Sequence, residues 1–170
     1  KEYAENGNTV FSLDIKESNE QGVDHIQCDI TEIDSVTHAL KHVSKIDILM
    51  LCAGVTSESN DPSDAEKHRM TAVNVEGIRN TLAAVASRLV ATAQIIYIGT
   101  DDPPKDFYKE TKLKGKAIME EFAAAHPNFD VRLLQVGPVK TELFLKGKPS
   151  DVIDRIAANV GLYEPDDFAS

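Results

Sequence analysis

Cysteine is scarce in this chain, and no apolar run is long. Only Cys28 and Cys52 occur among 170 residues, both in apolar strand-like segments, where a thiol behaves as a small hydrophobic side chain. Their number and placement therefore imply no disulfide framework and no cysteine metal site. The longest apolar run, Ile48 to Val55, is too short to span a bilayer, and no signal-peptide pattern opens the chain. We therefore expect a cytoplasmic protein without a membrane partner.

Basic residues are in the minority, and tryptophan is absent. The chain has 18 Lys and Arg against 28 Asp and Glu, which gives a net charge of −10 that is spread along the sequence. This charge disfavours binding to a phosphate backbone, so nucleic acid is not expected as a partner. The hydrophobic share of 42% and the charged share of 27% are ordinary for a soluble globular protein, and the length suits one domain over residues 1–170.

Short apolar runs alternate with helical patterns along the chain. The runs predict strands at Thr9–Leu13, His25–Cys28, Ile48–Leu51, Gln94–Ile98 and Val131–Val136. Helical spacing predicts a helix capped by a box of Thr31 and Asp34, a long helix at about Ala65–Val90 and another at Tyr108–Ala125. This alternation predicts an α/β fold with a doubly wound, Rossmann-like parallel sheet between two helical layers. Because the strands are continuously apolar, both faces of the sheet should be covered.

The pair Tyr108 and Lys112 is the leading candidate for catalysis. Their four-residue spacing places both side chains on one helix face, about a turn apart. An ammonium group close to a phenol stabilises the phenolate and lowers the pKa of the tyrosine, which is how a general acid/base is made. Taken alone, however, such a pair more often lines a partly exposed helix face.

Two other polar features have a structural and a functional explanation. Asn74 lies among the core positions of the long helix, where a polar amide is either a satisfied structural residue or part of a site. His38 and His42 have a spacing that suits a metal, but no carboxylate or cysteine completes a ligand set at a recognisable interval. No metal site is predicted.

The ordered motifs resemble the short-chain dehydrogenase/reductase family over nearly the whole chain. They are Asp14 after a strand, Cys28-Asp29, CAG at Cys52 to Gly54, NVEG at Asn74 to Gly77, Thr100 after a strand, YKETK at Tyr108 to Lys112, and VGPVKT at Val136 to Thr141. The resemblance implies an oxidoreductase that interconverts an alcohol and a carbonyl of a small molecule. Tyr108 would be the acid/base, Lys112 would lower its pKa, Thr100 would orient the substrate oxygen, and Asn74 would hold a water in the proton relay.

The resemblance also implies a nicotinamide cofactor. Asp14 would bind the adenosine ribose hydroxyls and repel a 2′-phosphate, which favours NAD over NADP. The full set implied for the cofactor is Asp14, Asp29, Ile30, Cys52, Ala53, Gly54, Tyr108, Lys112, Gly137, Val139 and Thr141. By analogy with the family, a homodimer or homotetramer is expected.

Two departures from the family pattern motivate an alternative function. The sequence lacks the glycine-rich turn that receives the pyrophosphate, so we expect that a strand and helix are missing upstream and that the chain is incomplete at both ends. Thr100 and Tyr108 are only eight residues apart, and Asp101 and Asp102 in this connection would raise the pKa of Tyr108. The alternative is a catalytically inactive relative that binds a nucleotide or a protein partner.

Overall fold

The computed structural model describes residues 2–57, 59, 61–100, 107–137 and 150–160. In chain order the elements are α1 (Glu2–Glu5), β1 (Val10–Asp14), β2 (Val23–Gln27), α2 (Ile33–Ala39) with a 3₁₀ turn (Leu40–His42), β3 (Ile46–Leu51), α3 (Asp64–Thr71), a π-helical turn (Ala72–Glu76), α4 (Gly77–Val85), β4 (Leu89–Thr100), α5 (Phe107–Ala125), β5 (Asp130–Val136) and α6 (Ser150–Val160). No helix within these ranges is long and apolar enough to cross a membrane.

The strands form two parallel sheets. β1 pairs with β2, and β3, β4 and β5 pair in that order. Within the described ranges, no strand pairs with the second edge of β1 or of β3. Helices flank the sheets in a Rossmann-like αβα arrangement, which confirms the predicted fold class.

Two hydrophobic clusters form the core. The first joins the π-helical turn and α4 to β4 and α5, and it contains Leu51, Val75, Ile78, Leu82, Ile95, Tyr97, Ile118 and Met119. The second lies between α2, α4 and both sheets, and residues of β1, β2 and β3 pack against it, namely Leu13, Ile26, Ile46 and Leu49. Among the residues that the structure describes, the two sheets are therefore held together by shared apolar packing.

The prediction that both sheet faces are covered is wrong for β3. Leu49 packs against both clusters and Leu51 is buried, whereas Ile48 and Met50 are 41% and 48% exposed. Alternate residues of a strand point to opposite faces, so the exposed pair lies on the face turned away from the clusters.

The long helix predicted at 65–90 is broken and shorter. The π-helical turn interrupts it at Ala72–Glu76, and its last helical residue is Val85. Leu89 instead pairs with Ile46 at the start of β4, and the Ile46 N–H donates to the carbonyl of Arg88 at 2.9 Å. Strand pairing with β3 thus overrides the helical spacing of the apolar residues in this segment.

The capping box predicted for α2 is also wrong. Its N-cap residue is Glu32, and no side chain caps the helix. Thr31 instead donates from its backbone N–H and its hydroxyl to Asp29 Oδ1, at 2.9 and 2.7 Å. Because Thr31 binds the Asp29 carboxylate in a local turn, its hydroxyl does not cap the helix.

Candidate active site

The carboxyl ends of the strands carry several of the predicted site residues. Asp14 is the last residue of β1 and Thr100 the last of β4, while Cys52–Gly54 directly follow β3 and Gly137 directly follows β5. The carboxyl ends of parallel strands meet at one edge of a sheet, where ligands of such folds bind. Val139 and Thr141 lie outside the described residues.

Lys112 is a buried cation on α5. It is only 8% exposed, its Nζ donates to the carbonyl of Ile98 at 3.0 Å, and it lies 5.0 Å from the centre of the Tyr97 ring. Burial lowers the pKa of Lys112 because water is lost from around the ammonium, and the nearby Cys52 thiol acts in the opposite direction. The alternative explanation, that the pair lines a partly exposed helix face, therefore does not describe this lysine.

Tyr108 is the second residue of α5 and is half-buried. It lines a small pocket with Thr56, Ser57, Ser59, Pro62, Met70 and Phe107. Burial, followed by the charge of Tyr108, raises the pKa of Tyr97 to about 12. The phenol of Tyr108 is thus within electrostatic reach of the tyrosine whose ring lies beneath Lys112.

Thr100 shares a second pocket with Lys112. The other residues that line it are Gly99, Leu113, Lys116 and Gln135. The structure therefore brings Thr100 and Lys112 together, but Tyr108 does not line this pocket. Asp101 and Asp102, predicted to raise the pKa of Tyr108, lie outside the described residues.

Asn74 is the centre of a buried hydrogen-bond network. Its Nδ2 donates to the Val55 carbonyl and to Thr111 Oγ1, both at 2.9 Å, and its Oδ1 accepts from the Val55 N–H at 2.8 Å. The Thr111 hydroxyl in turn donates to the carbonyl of Tyr108 at 2.8 Å. Asn74 and Thr111 are 1% and 0% exposed. One amide thereby ties the π-helical turn to the segment after β3 and to the first turn of α5.

Gly54 leaves room in front of this network. A methyl group added at Gly54 would lie 3.6 Å from Asn74 Oδ1 and 3.9 Å from Lys112 Nζ. These are ordinary contact distances, so the backbone after β3 passes close to both polar groups. Because Gly54 has no side chain, a ligand can approach the backbone at this point.

Asp29 and Ile30, predicted to bind the cofactor, occupy a fixed turn. Asn80 Nδ2 donates to the carbonyls of Ile30 and Thr31, each at 3.0 Å. A methyl group at Gly77 would overlap the Ile30 side chain at 2.6 Å from its Cδ1, so Ile30 packs directly on α4. Asp29 Oδ1 already accepts two hydrogen bonds from Thr31. The turn is therefore held from below by α4, with the Asp29 carboxylate on its exposed side.

The segment beside Tyr108 is anchored by Glu66. Ser57 Oγ donates to Glu66 Oε1 at 2.7 Å, and Ser63, the N-cap of α3, donates to Glu66 Oε2 from its N–H and hydroxyl at 2.9 and 2.8 Å. The hydrogen bonds from Ser57 and Ser63 lower the pKa of Glu66 from 4.5 to about 2. This capping box fixes the start of α3 and one wall of the pocket that Tyr108 lines.

We expect Glu66 to make stability depend on acidity. Its pKa is lower in the folded protein, so its contribution is fully present above pH 4.5 and is lost as the pH falls toward 2. Chemical denaturation across this range should show a smaller pH dependence for Glu66→Gln than for the wild type. Glu76→Gln, which removes a carboxylate exposed on the π-helical turn, is the control. Equal pH dependence in wild type and Glu66→Gln would contradict this role.

The sequence prediction missed three residues of the site: Tyr97, Thr111 and Asn80. Tyr97 lies in an apolar strand, where the pattern indicates only a core residue. Thr111 lies between Tyr108 and Lys112, and its polarity at a position adjacent to the buried lysine was a usable signal. Asn80 is a second polar amide on the helix that carries Asn74, and the same argument from buried amides could have found it.

A family model described as short chain dehydrogenase matches residues 2–146. The chain therefore belongs to the short-chain dehydrogenase family, whose members are oxidoreductases that bind a nicotinamide dinucleotide and act on small molecules. A comparison with curated protein sequences gives no match.

Solved structures of this family have the same fold. Aldohexose dehydrogenase from Thermoplasma acidophilum is 20% identical, with a TM-score of 0.82 over 96% of this chain and 75% of that chain. Gluconate 5-dehydrogenase from Burkholderia cenocepacia, solved with NADP and tartrate, is 22% identical, with a TM-score of 0.77 over 95% of this chain and 75% of that chain. A short-chain dehydrogenase/reductase from Burkholderia multivorans with bound NADP is 18% identical, with a TM-score of 0.71 over 96% and 87% of the two chains.

Proposed function

We propose that this protein is an NAD-dependent oxidoreductase that interconverts an alcohol and a carbonyl group of a small molecule. The observation that carries the proposal is the buried Lys112, one helical turn after a tyrosine that lines a pocket at the carboxyl edge of the sheet. Burying a lysine costs free energy. Such a residue is often found at a functional site, where its ammonium group shifts the pKa of a neighbouring acid.

Each polar residue of the site has a role in this reaction. Tyr108 exchanges the proton of the substrate oxygen, and the Lys112 ammonium stabilises the phenolate. Thr100 orients the substrate oxygen through its hydroxyl. Both N–H groups of the Asn74 amide are occupied, so a relay water at this residue would donate to an acceptor such as Oδ1.

The residues present fit a nicotinamide dinucleotide. Bound there, the cofactor supplies or accepts the hydride. Asp14 is exposed at the carboxyl end of β1, where its carboxylate can accept hydrogen bonds from ribose hydroxyls. Asp29 and Ile30 lie in the turn held by Asn80, and Cys52, Ala53 and Gly54 present backbone beside Lys112. We assign Gly137, Val139 and Thr141 to the cofactor site.

Binding and turnover should be measured on the same preparation. Since the chain has no tryptophan, binding of NADH can be followed through energy transfer from tyrosine to the reduced nicotinamide. We expect binding together with oxidation of NADH in the presence of a member of a carbonyl panel. Binding without turnover across the panel would favour the alternative, a catalytically inactive relative that binds a nucleotide or a partner.

The choice between NAD and NADP should depend on Asp14. The two Burkholderia structures named above contain NADP, whereas a carboxylate at the ribose repels a 2′-phosphate. For Asp14→Ser we expect the ratio of kcat/KM for NAD over NADP to fall by about 10- to 100-fold, the worth of a hydrogen bond to a charged group. The measurement is steady-state kinetics with each cofactor.

Asp24→Ser is the matched control for this variant. Asp24 is an exposed carboxylate on β2, beside the first half of β1 and away from the carboxyl edge. Asp24→Ser should leave the ratio of kcat/KM for NAD over NADP unchanged. An unchanged preference in Asp14→Ser, or an equal change in both variants, would contradict the assignment of Asp14.

A further inference from the structure

Tyr97 contacts Lys112 in two ways. Its hydroxyl donates to the backbone carbonyl of Lys112 at 3.4 Å, and the Lys112 Nζ lies 5.0 Å from the centre of its ring. The tyrosine is 1% exposed and belongs to the strand that carries Ile98 and Thr100. A buried aromatic side chain of β4 therefore lies beside the charged end of the lysine.

Gly115 makes this arrangement possible. A methyl group at Gly115 would lie 2.6 Å from the Tyr97 hydroxyl oxygen and 3.0 Å from the carbonyl of Asn74. The distance of 2.6 Å is too short for a Cβ atom, so any other residue at this position of α5 would displace Tyr97 or the helix. The missing side chain lets the phenol extend under α5 as far as the turn that holds Lys112.

The surroundings of Lys112 explain why such a ring matters. Burial disfavours the charged form of the amine, and one backbone carbonyl, that of Ile98, accepts a hydrogen bond from it. The negative face of an aromatic ring attracts a cation, and this attraction is stronger where water is excluded. The ring of Tyr97 therefore opposes the effect of burial.

We propose that Tyr97 is a positioning residue that keeps the Lys112 amine charged and holds it in place beside Tyr108. The proposal rests on the proposed function, because the charged amine matters only if Tyr108 exchanges a proton. In this proposal Tyr97 of β4 touches neither substrate nor cofactor and acts on the reaction only through Lys112.

Other titratable groups lie near Lys112. The Cys52 thiol, on the segment after β3, acts on the pKa of Lys112, and Lys116, one turn further along α5, lines the same pocket. Tyr108 lies one turn earlier on α5. The π-helical turn presents the neutral amide of Asn74 near this amine. These groups are unchanged in the variants below, so a difference between variants reports on Tyr97.

The test compares Tyr97→Phe, Tyr97→Leu and a control, Ile95→Ala. Ile95 is 0% exposed, lies two residues earlier on the same face of β4 and belongs to the same cluster. In the intact protein labelled with ¹³C-lysine, NMR follows the titration of Lys112, whose signal is assigned by its loss in Lys112→Arg. The pH profile of alcohol oxidation is recorded for the same variants.

We expect Tyr97→Leu to lower the titration midpoint of Lys112 by about half a pH unit or more, because the attraction of the ring is lost. When a smaller fraction of the Lys112 amine is charged, the Tyr108 phenolate is stabilised less. The midpoint of the oxidation profile should therefore move to higher pH. Tyr97→Phe keeps the ring and should stay close to the wild type, because the lost hydrogen bond is long. Ile95→Ala should lose stability without shifting either midpoint.

Two results would overturn the proposal. One is an unshifted Lys112 titration in Tyr97→Leu, and the other is an equal shift in Ile95→Ala, which would indicate general loosening of the core. If Tyr97→Leu does not fold, phenylalanines of increasing fluorination at position 97 weaken the ring's attraction at nearly constant volume, and the Lys112 midpoint should fall stepwise. The Lys112 titration is independent of turnover, so an inactive wild type would reject the proposed function and leave this test intact.

Discussion

Replacing Tyr108 by phenylalanine is expected to lower kcat by about 10²- to 10⁴-fold, the contribution typical of a positioned general acid or base. The change removes one hydroxyl and keeps the ring. Tyr108 is half-buried and its backbone carbonyl accepts from Thr111, so the fold of the first turn of α5 should be retained. Turnover is measured with the carbonyl that the wild type reduces, and cofactor binding is followed by energy transfer from tyrosine.

The matched control for this variant is Tyr97→Phe, which removes the other phenol hydroxyl near Lys112. That hydroxyl donates to a backbone carbonyl at 3.4 Å and lies in the core, so it has no access to a substrate. We expect its loss to change kcat far less than the loss of the Tyr108 hydroxyl. Because both variants differ from the wild type by a single oxygen, unequal effects on kcat report on chemistry rather than on packing.

Two outcomes would contradict the role of Tyr108. An unchanged kcat would reject it as the acid/base. A loss of cofactor binding equal to the loss of kcat would indicate that the hydroxyl holds the site together instead. A weakened but measurable rate with normal binding is the expected pattern, since interactions made only in the transition state affect kcat.

The sequence predicts the parts of this protein whose signals are local. The five predicted strands all occur, with bounds that differ by a few residues, and the helix of Tyr108 and Lys112 begins one residue before its predicted start. Lys112, Gly115 and Met119, which follow Tyr108 at helical spacing, are buried on α5. The order of the motifs was sufficient to indicate the family, because most of them lie at the end of a strand or in the first turn of a helix.

The sequence does not predict features that depend on contacts between distant segments. The attraction between Tyr97 and Lys112 depends on how β4 and α5 pack. The need for glycine at position 115 follows only from the contact of α5 with the Tyr97 phenol. Leu89 shows a helical spacing but pairs with Ile46 in a sheet. In each case tertiary packing decides between local structures that the sequence alone leaves open.

Replacing Asn74 by alanine is expected to destabilise the protein by about 2–4 kcal/mol and to lower kcat as well. The variant leaves the N–H and carbonyl of Val55 without their side-chain partner and frees the Thr111 hydroxyl that holds the Tyr108 carbonyl. A buried polar group without a hydrogen-bond partner lowers the free energy of unfolding, because its lost hydration is not replaced. Urea denaturation and steady-state kinetics measure the two effects.

Asn80→Ala is the control, because it removes the same side chain from the same helical region. Asn80 also donates two hydrogen bonds to backbone carbonyls, but these belong to the turn of Ile30 and Thr31. We expect Asn80→Ala to lower stability and to raise the KM for the cofactor, with kcat nearly unchanged. Equal kcat values in Asn74→Ala and Asn80→Ala would indicate that both amides are purely structural.

Thr111→Val separates the link to Tyr108 from the rest of the Asn74 network. Valine keeps the shape of threonine and removes both the acceptor for Asn74 Nδ2 and the donor to the Tyr108 carbonyl. If Asn74 acts on Tyr108 through Thr111, the effects of Asn74→Ala and Thr111→Val on kcat should not add in the double variant, because the second substitution breaks a connection that the first has already broken. Additive effects would mean that the two residues act independently, and the buried chain from Val55 to Tyr108 would then stabilise the fold without positioning the phenol.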